Sequence, residues 1–318
     1  MKHLILVGAC YLDTILTVPH FPAEDSKLRA TSVQVRRGGN CPNSLEVLVQ
    51  LLAAGPHPGL PLKLHLVSCL PDAGAAATAK ILSSLGADKG AVDCSHCLYR
   101  GGYEEPASSY VIRSAETGSR TIVNFNDLPE MTAREFEKIA DTFVKQGEEC
   151  WWHFEGRIPE TTLQCIRYLR RVTPKSTISV EVEKPNREGL VELAAEADVV
   201  FYSRTWAEVS QTTPVSGFPE PRVQESRGLC QGRSGVIEGV KWGAGALSLP
   251  SGEYIHHRAA QSEGRVPVID TIGAGDTFIA AMLYGLHADA WSRETKLSFG
   301  VELATKKVQR EGFAGLVP

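Results

Sequence analysis

The sequence lacks the features that mark several common classes of protein. It holds no Gly-Lys-Ser or Gly-Lys-Thr triplet, which excludes a phosphate-binding P-loop. It has no run of basic residues, and 33 Lys and Arg against 37 Asp and Glu leave a net charge of −4, so nothing indicates nucleic-acid binding. No apolar run approaches the length of a membrane-spanning helix. The apolar fraction of 43% is ordinary for a soluble globular protein.

Features of exported proteins are also scarce. No Asn-x-Ser or Asn-x-Thr acceptor occurs, and the apolar run at residues 4–12 is ended by Asp13 without a clean small-residue cleavage site. Several of the eight cysteines lie in apolar segments, as free core cysteines do. Cys94 and Cys97 have the spacing of zinc ligands, but no second pair accompanies them. We therefore expect a cytoplasmic protein, with a buried strand at residues 3–10.

One stretch near the C-terminal end is rich in small residues. Residues 270–278 read Asp-Thr-Ile-Gly-Ala-Gly-Asp-Thr-Phe, and apolar residues at helical spacing follow. The glycines let the backbone turn tightly and approach a ligand closely. We predict a strand over residues 266–269, then a loop and a helix whose free N-terminal amides form an anion pocket. Asp276 there suits a base beside a transferring phosphoryl group, although a plain turn capped by Asp also fits.

A second polar motif is Arg-Gly-Gly-Asn at residues 37–40, with Asn43 one helical turn further on. Gly38 and Gly39 permit close approach of the backbone, and Asn40 and Asn43 share one face of the helix predicted to begin here. Amide side chains both donate and accept hydrogen bonds, which suits a polyhydroxylated ligand. The alternative is that Asn40 simply caps the helix.

Strand and helix patterns alternate along most of the chain. Short apolar segments predict buried strands at residues 3–10, 62–69, 150–154, 177–183 and 198–203. Helical spacing predicts helices at residues 40–52, 73–85, 161–171 and 299–307. This alternation indicates a mostly parallel sheet with helices on both faces.

Another group of segments has the pattern of exposed strands, at residues 12–19, 31–35, 108–114 and 120–125. They would form a small second sheet from about residues 12–37 and 106–125. We expect an α/β fold in which a single domain, residues 1–318, is a three-layer α/β/α sandwich with a mostly parallel sheet. The small β-sheet would cover it as a lid.

The motif at residues 270–278 resembles the C-terminal signature of the ribokinase-like, phosphofructokinase B-type (PfkB) carbohydrate kinases. Arg-Gly-Gly-Asn-x-x-Asn at residues 37–43 also matches a motif of that family. Glu-Gly-Arg at 155–157 and Ser-Val-Glu-Val-Glu-Lys-Pro at 179–185 resemble its ketohexokinase (fructokinase) branch. Many relatives carry Asn-x-x-Glu after the strand at 198–203, but this chain, like the ketohexokinases, does not.

The resemblance covers residues 4–204 and resumes at about residue 242. Residues 208–241 sustain no helical or strand pattern and contain Pro214, Pro219 and Pro221. An irregular run of this length is unusual inside a compact domain. The stretch is either a genuine insertion, or it is out of frame or mis-spliced relative to the family, which has a helix and a buried strand there.

The resemblance implies an ATP-dependent kinase that phosphorylates a hydroxyl of a ketohexose such as fructose. Asp276 would be the general base, and the amides of Gly273, Ala274 and Gly275 would stabilise charge on the transferring group. The residues that would hold the sugar are Asp13, Asp25, Gly38, Gly39, Asn40, Asn43, Glu155 and Arg157. The residues that would hold the nucleotide are Arg120, Arg204, Gly243, Gly245, Gly273, Gly275 and Ala304.

The family also implies Mg²⁺ with ATP and a K⁺ ion near Asp270. The Mg²⁺ ligands stay open, with Glu183 as a candidate. The lid would join two chains as a homodimer, because its strands are exposed edges rich in Val, Ile and Tyr. No nucleic-acid or membrane partner is expected.

Other interpretations remain open. The acceptor could be ribose, a nucleoside or a sugar acid, although the Asn40 and Asn43 amides favour a free sugar over a purine. The chain could also be a catalytically impaired homologue that binds sugar. Glu155 and Arg157 could form a structural ion pair, and Arg120 could be an ordinary exposed strand residue.

Overall fold

The structure is a computed structural model that describes residues 2–57, 59–185, 187–203, 206, 229–237, 240–248, 254–258, 268–288 and 290–317. Its strands are β1 (Lys2–Val7), β2 (Tyr11–Val18), β3 (Ser32–Gly38), β4 (Leu62–Val67), β5 (Cys69–Leu70), β6 (Leu98–Tyr99), β7 (Ala107–Ser114), β8 (Arg120–Phe125), β9 (Glu149–Glu155), β10 (Thr177–Val182), β11 (Val199–Tyr202), β12 (Leu229–Ile237), β13 (Val240–Ser248) and β14 (Tyr254–Arg258). Its α-helices are α1 (Asn40–Ala54), α2 (Ala76–Ser84), α3 (Ala133–Gln146), α4 (Pro159–Val172), α5 (Leu190–Ala195), α6 (Ala274–His287) and α7 (Arg293–Val308). None of these helices combines the length and apolarity that a membrane span requires.

An eight-stranded sheet forms the middle layer, in the order β14-β13-β12-β11-β10-β9-β1-β4. The strands from β12 to β4 run parallel, and β13 and β14 add an antiparallel edge. Successive side chains of β1 point to opposite faces, so Leu4 and Leu6 pack into one apolar core and Ile5 and Val7 into another. The first core includes side chains of α1, α6 and α7, and the second includes those of α3, α4 and α5. The predicted α/β/α sandwich is therefore confirmed.

A separate four-stranded sheet has the order β3-β2-β7-β8. Its strands match the four exposed segments predicted from the sequence, except that β3 continues to Gly38 and leads directly into α1. One face carries polar side chains in register, since Asp13 of β2 lies opposite Arg36 of β3 and Ser109 of β7. The polar face lines the cleft described below.

Two sequence-based expectations about the second half of the chain were wrong. Within residues 208–241, which were expected to be irregular, the described residues form β12 and the start of β13. Backbone pairing with β11 and β13 makes this strand, and a Gly-rich sequence gives no periodic signal for it. The strand expected at residues 266–269 is also absent at Val268 and Ile269, where the Ile269 amide instead donates to the Val308 carbonyl at the end of α7. Residues 207–228 and 259–267 lie outside the described residues.

Candidate active site

A cleft of about 920 Å³ lies between the small sheet and the carboxyl ends of the parallel strands. Glu155 ends β9, Glu181 lies near the end of β10 and Tyr202 ends β11, and all three line the cleft. Residues of β2 and β8 form the opposite wall, and the first turns of α1 and α6 complete it. Open α/β sheets bind their ligands at this edge, where the carboxyl ends of the strands meet.

Helix α6 begins at the cleft without a side-chain cap. Its N-cap residue Gly273 has a φ of 80°, and a Cβ atom there would lie 2.2 Å from Cζ of Phe313, so only glycine fits. Thr277 donates its amide and its hydroxyl to the Gly273 carbonyl, at 2.9 and 2.8 Å. The Ala274 amide donates to the Thr271 carbonyl in the preceding loop at 3.4 Å. The first-turn amides have no acceptors within the helix, and the helix dipole adds positive potential, so this terminus is suited to an anion.

Asp276 lies in the first turn of α6 and is held by residues of α1. Asn43 Nδ2 donates to Asp276 Oδ2 at 2.7 Å, and Ser44 Oγ donates to the Asp276 carbonyl at 3.0 Å. Arg37 Nη1 in turn donates to Asn43 Oδ1 at 3.0 Å, and Arg37 also pairs with Glu46. Because Asn43 Oδ1 accepts from Arg37, the Asn43 amide must present its Nδ2 group to Asp276. This hydrogen bond orients the Asp276 carboxylate toward the cleft.

The carboxyl group of Asp276 is poised to exchange a proton near neutral pH. Burial raises its pKa to about 7, and the negative charges of Glu183 and Glu155 act in the same direction. The Asn43 hydrogen bond and the positive charge of Arg37 oppose this rise. A carboxyl group with such a pKa is suited to general base catalysis.

Further polar groups surround Asp276 in the cleft. Asn40 Nδ2 donates to Glu181 Oε2 at 3.0 Å, and the Ala9 amide donates to Glu155 Oε2 at 2.9 Å. Burial, and then the nearby Asp276 carboxylate, raise the pKa of Glu181 well above its ordinary value. Burial also raises the pKa of Glu155. The cleft thus combines amide groups with an excess of carboxylates, which suits a polyol and a cation.

Two glycines bring the small sheet close to this cluster. A Cβ atom on Gly38 would lie 2.3 Å from Asp13 Oδ2, so only a glycine lets the buried Asp13 carboxyl fit behind β3. Gly39 has a φ of 101°, and a Cβ atom there would lie 2.1 Å from the Ala9 carbonyl oxygen. Both glycines are thus required where β3 turns into α1, and Gly39 serves as the N-cap of that helix.

The sequence resembles a named protein over its full length. Over 329 residues the chain is 32% identical to the ketohexokinase of Mus musculus, and the match covers 99% of each protein. A sequence model of the pfkB family carbohydrate kinases matches residues 241–318. The chain belongs to the pfkB family of carbohydrate kinases.

Solved structures show the fold of this kinase in other proteins. A nucleoside kinase of Methanocaldococcus jannaschii has a TM-score of 0.73 at 16% identity, covering 100% of this chain and 95% of that one. The ribokinase of Thermotoga maritima has a TM-score of 0.71 at 18% identity, covering 99% and 95%. Arabidopsis thaliana ribokinase, complexed with ribose and ATP, has a TM-score of 0.69 at 19% identity, covering 99% and 95%. At these identities the likeness concerns the fold alone.

The fold brings most of the predicted site residues of this kinase together. Those that line the one cleft are Asp13, Gly39, Asn40, Asn43, Arg120, Glu155, Arg157, Glu183, Gly273, Ala274, Gly275, Asp276 and Ala304. Gly38 lies directly behind Asp13. Arg120 of the small sheet donates to Thr271 Oγ1 at 2.8 Å, so it contacts the loop before α6. Arg157 does not pair with Glu155 but with Glu130.

The remaining predicted residues are Asp25, Gly243, Gly245 and Arg204. Asp25 is exposed in the turn between β2 and β3, with a φ of 56°, and does not line the cleft. Gly243 and Gly245 lie on β13, opposite Ser234 and Gly232 of β12. Arg204 lies outside the described residues, so its role stays a prediction.

The carboxylates of this kinase fit a magnesium ion that arrives with a nucleotide. Among the described residues, no three His, Cys, Asp or Glu side chains form a ready metal cage. Mg²⁺ is usually held by one or two carboxylates together with substrate phosphates, so a cage is not required. Exposed Glu183 and buried Glu181 both face the cleft near Asp276, and their mutual repulsion would be relieved by a cation.

Several residues in and beside the site were missed by the sequence analysis. Glu181 lies in a stretch that the family resemblance covers, but its contact with Asn40 was not foreseen. Arg36 and Lys307 both contact the Asp270 carboxylate, and neither carried a local signal. Arg36 lies 234 residues and Lys307 lies 37 residues from Asp270 along the chain, and only the fold brings them together.

Proposed function

We propose that this kinase transfers a phosphoryl group from ATP to a hydroxyl group of a ketohexose such as fructose, with Asp276 as general base. The observation that carries the proposal is the place of Asp276. It is buried in the cleft, bonded to Asn43, and lies in the first turn of a helix whose amide end faces that cleft. A base and an anion site therefore lie within one turn of helix, as transfer to a hydroxyl requires.

The acceptor sugar lies against Asp13, Asn40 and Asn43, whose carboxylate and amide groups orient its hydroxyls. Asp276 accepts the proton of the attacking hydroxyl, and the pKa of about 7 lets it do so near neutral pH. Amides of the α6 terminus and the guanidinium of Arg120 stabilise the charge on the phosphoryl oxygens. Glu181 or Glu183 would hold a Mg²⁺ ion, which would further neutralise the charge of the ATP phosphates.

The nucleotide lies along the C-terminal side of the cleft, next to the α6 terminus and Ala304 of α7. The residues proposed to hold it are Arg120, Arg204, Gly243, Gly245, Gly273, Gly275 and Ala304. A ketohexose is favoured over a nucleoside because the relative that shares 32% identity over the full length is named a ketohexokinase. The nucleoside kinase and ribokinase likenesses stay below 20% identity.

The proposal is tested by measuring ADP release over a panel of acceptors at saturating ATP. We expect the highest kcat/KM with fructose, and much lower values with ribose, a nucleoside and a sugar acid. Turnover confined to one of those other acceptors would contradict the assigned substrate. Saturable fructose binding by calorimetry without any ADP release would instead identify a catalytically impaired sugar-binding protein.

We also propose that the protein is a cytoplasmic homodimer joined through its lid, the small sheet. The face of that sheet turned away from the cleft exposes Val33, Tyr110, Val123 and Phe125 by 66, 51, 59 and 57%. A contiguous apolar face of this kind on a small sheet is typical of a protein interface.

Light scattering at micromolar concentration is expected to give twice the chain mass, and Val123→Glu is expected to give monomers. Val191→Glu is the matched control, because Val191 is an exposed valine of α5 outside the lid. A monomeric wild-type protein would refute the dimer.

A further inference from the structure

The carboxylate of Asp270, at the start of the loop that leads to α6, is surrounded by donors. Asp270 is 5% exposed. Its Oδ2 accepts from Lys307 Nζ at 2.8 Å, from Arg36 Nη1 at 3.0 Å and from the Gly312 amide at 3.3 Å. Its Oδ1 accepts from the Ile272 amide at 3.0 Å. Two full positive charges therefore already contact one buried carboxylate.

Lys307 is the innermost of these partners. Its side chain is fully buried on α7, and Nζ also donates to the carbonyl oxygen of Asp270 at 3.2 Å. The same Nζ lies 5.2 Å from the centre of the Phe313 ring, within the range of a cation–π interaction. The ammonium group is thus held between two oxygen atoms of one residue and an aromatic face, as a small bound cation would be.

The residues around Asp270 do not fit the K⁺ ion that the family resemblance implies there. A K⁺ ion next to this carboxylate would lie within contact distance of Lys307 and beside Arg36, and like charges at such distances repel strongly in a buried site. The Gly312 and Ile272 amides also donate to the two carboxylate oxygens of Asp270. The site is closed by protein groups.

These contacts link Asp270 to the active-site loop and to the lid. The Phe313 ring that faces Lys307 also packs where a Cβ atom of Gly273 would lie, so Lys307, Phe313 and the N-cap of α6 form one packed unit. Arg36 belongs to β3 of the small sheet, two residues before Gly38. Loss of the Lys307 charge would therefore leave Asp270, and the loop before Asp276, with only Arg36 of these two cationic partners.

We propose that the ammonium group of Lys307 serves as a built-in monovalent cation, which holds the Asp270 loop in place and makes the protein independent of K⁺. Lys307 is a positioning residue: it contacts Asp270, and Asp270 directs the loop that carries Asp276. Only the catalytic part of this inference rests on the proposed kinase function.

The experiment compares thermal unfolding of the full chain in KCl and in choline chloride at equal ionic strength. The wild-type Tm is expected to be the same in both salts. Lys307→Ala is expected to lower the Tm, and K⁺ or methylammonium at tens of millimolar is expected to restore it, because both are small enough to enter the vacated site and choline is not. Lys306→Ala is the matched control, since Lys306 is the neighbouring lysine of α7 and donates to the Leu316 carbonyl. Its Tm should show no preference among these cations.

A saturable rise of the wild-type Tm with K⁺ would overturn the inference, and so would a Lys307→Ala variant with the wild-type Tm. If Lys307→Ala does not fold, the comparison of the wild-type Tm in KCl and in choline chloride still tests the inference. In turnover assays the wild-type kcat should agree within about twofold between the two salts, while Lys307→Ala should lose kcat more than it raises the KM for sugar. A wild-type protein without turnover would refute the proposed function but leave the Tm comparison intact.

Discussion

At the scale of single residues, the side chain of Asp276 and its partner Asn43 carry the proposed chemistry. Asp276→Asn is expected to lower kcat by about 10²- to 10⁴-fold, because an amide cannot accept the hydroxyl proton. Sugar binding, measured by calorimetry, should change little, since the amide oxygen can still accept from Asn43. Asp127→Asn, an exposed carboxylate outside the cleft, is the control. More than about a tenth of wild-type activity in Asp276→Asn would point to a different base.

The raised pKa of Asp276 has consequences for pH dependence at the same scale. Since the base must be ionised, kcat/KM is expected to rise as pH passes through about 7. The folded state holds this proton more tightly than the unfolded state, so the group's contribution to stability falls as pH rises from about 4 to about 7. Asp276→Asn should remove this fall. Calorimetric Tm values of the wild type and of Asp276→Asn at pH 5 and pH 8 measure this difference. An equal change of Tm with pH in the two proteins would contradict the raised pKa of Asp276.

Asn40 and Asn43 differ in what they contact, which separates their expected effects. Asn40→Ala should raise the KM for sugar by about 2- to 12-fold, as the loss of one hydrogen bond predicts, with little change in kcat. Asn43→Ala should raise KM and also lower kcat, because Asn43 holds Asp276. Asn126→Ala, at an exposed asparagine, serves as the control. A changed KM for ATP with an unchanged KM for sugar would show that both residues contact the nucleotide instead of the sugar.

At the scale of elements, the junction of β3 and α1 depends on Gly39. Gly39→Ala should destabilise the fold by more than about 2 kcal/mol, because it combines a positive φ with a contact of 2.1 Å to the Ala9 carbonyl. Gly147→Ala is the control, since Gly147 also has a positive φ, of 67°, but open space around it. It should cost only about 1–2 kcal/mol. Urea denaturation measures both, and equal losses would show that the junction tolerates a side chain.

At the scale of the whole molecule, two buried histidines of the main sheet make the fold sensitive to acid. Burial lowers the pKa of His65 in β4 and of His153 in β9 to about 3. The unfolded chain binds these protons near pH 6.5, so the stability contributed by neutral imidazoles is present above that pH and is lost as pH falls toward 3. The contribution of His65 and His153 to the Tm is therefore expected to drop between pH 6.5 and 5, opposite in sign to that of Asp276.

His153→Gln should flatten that drop by removing one of the two titrating groups. Exposed His20→Gln is the control and should leave the profile unchanged. An unaltered acid profile in the His153 variant would show that other groups control the acid sensitivity.

The sequence by itself determined the layers of this protein, its glycine-rich loop before α6 and its family. Continuous apolar runs predict parallel strands buried on both faces, and helical spacing predicts the helices that cover them, because each signal lies within a few neighbouring residues. The glycine-rich motif at residues 270–278 likewise predicted the turn and the helix that begins at Ala274. The predicted roles of Asn40, Asn43 and Asp276 came from motifs of the same local kind.

Only the tertiary structure decided which side chains meet. Asn43 and Asp276 are 233 residues apart, and no pattern in either motif states that one donates to the other. Strand β12 was missed because backbone pairing with its neighbours, rather than side-chain periodicity, makes it a strand. Lys307 and Arg36 both donate to Asp270, since the fold brings α7 and β3 to one buried carboxylate. Electrostatic contacts act through space, and spacing along the chain does not encode them.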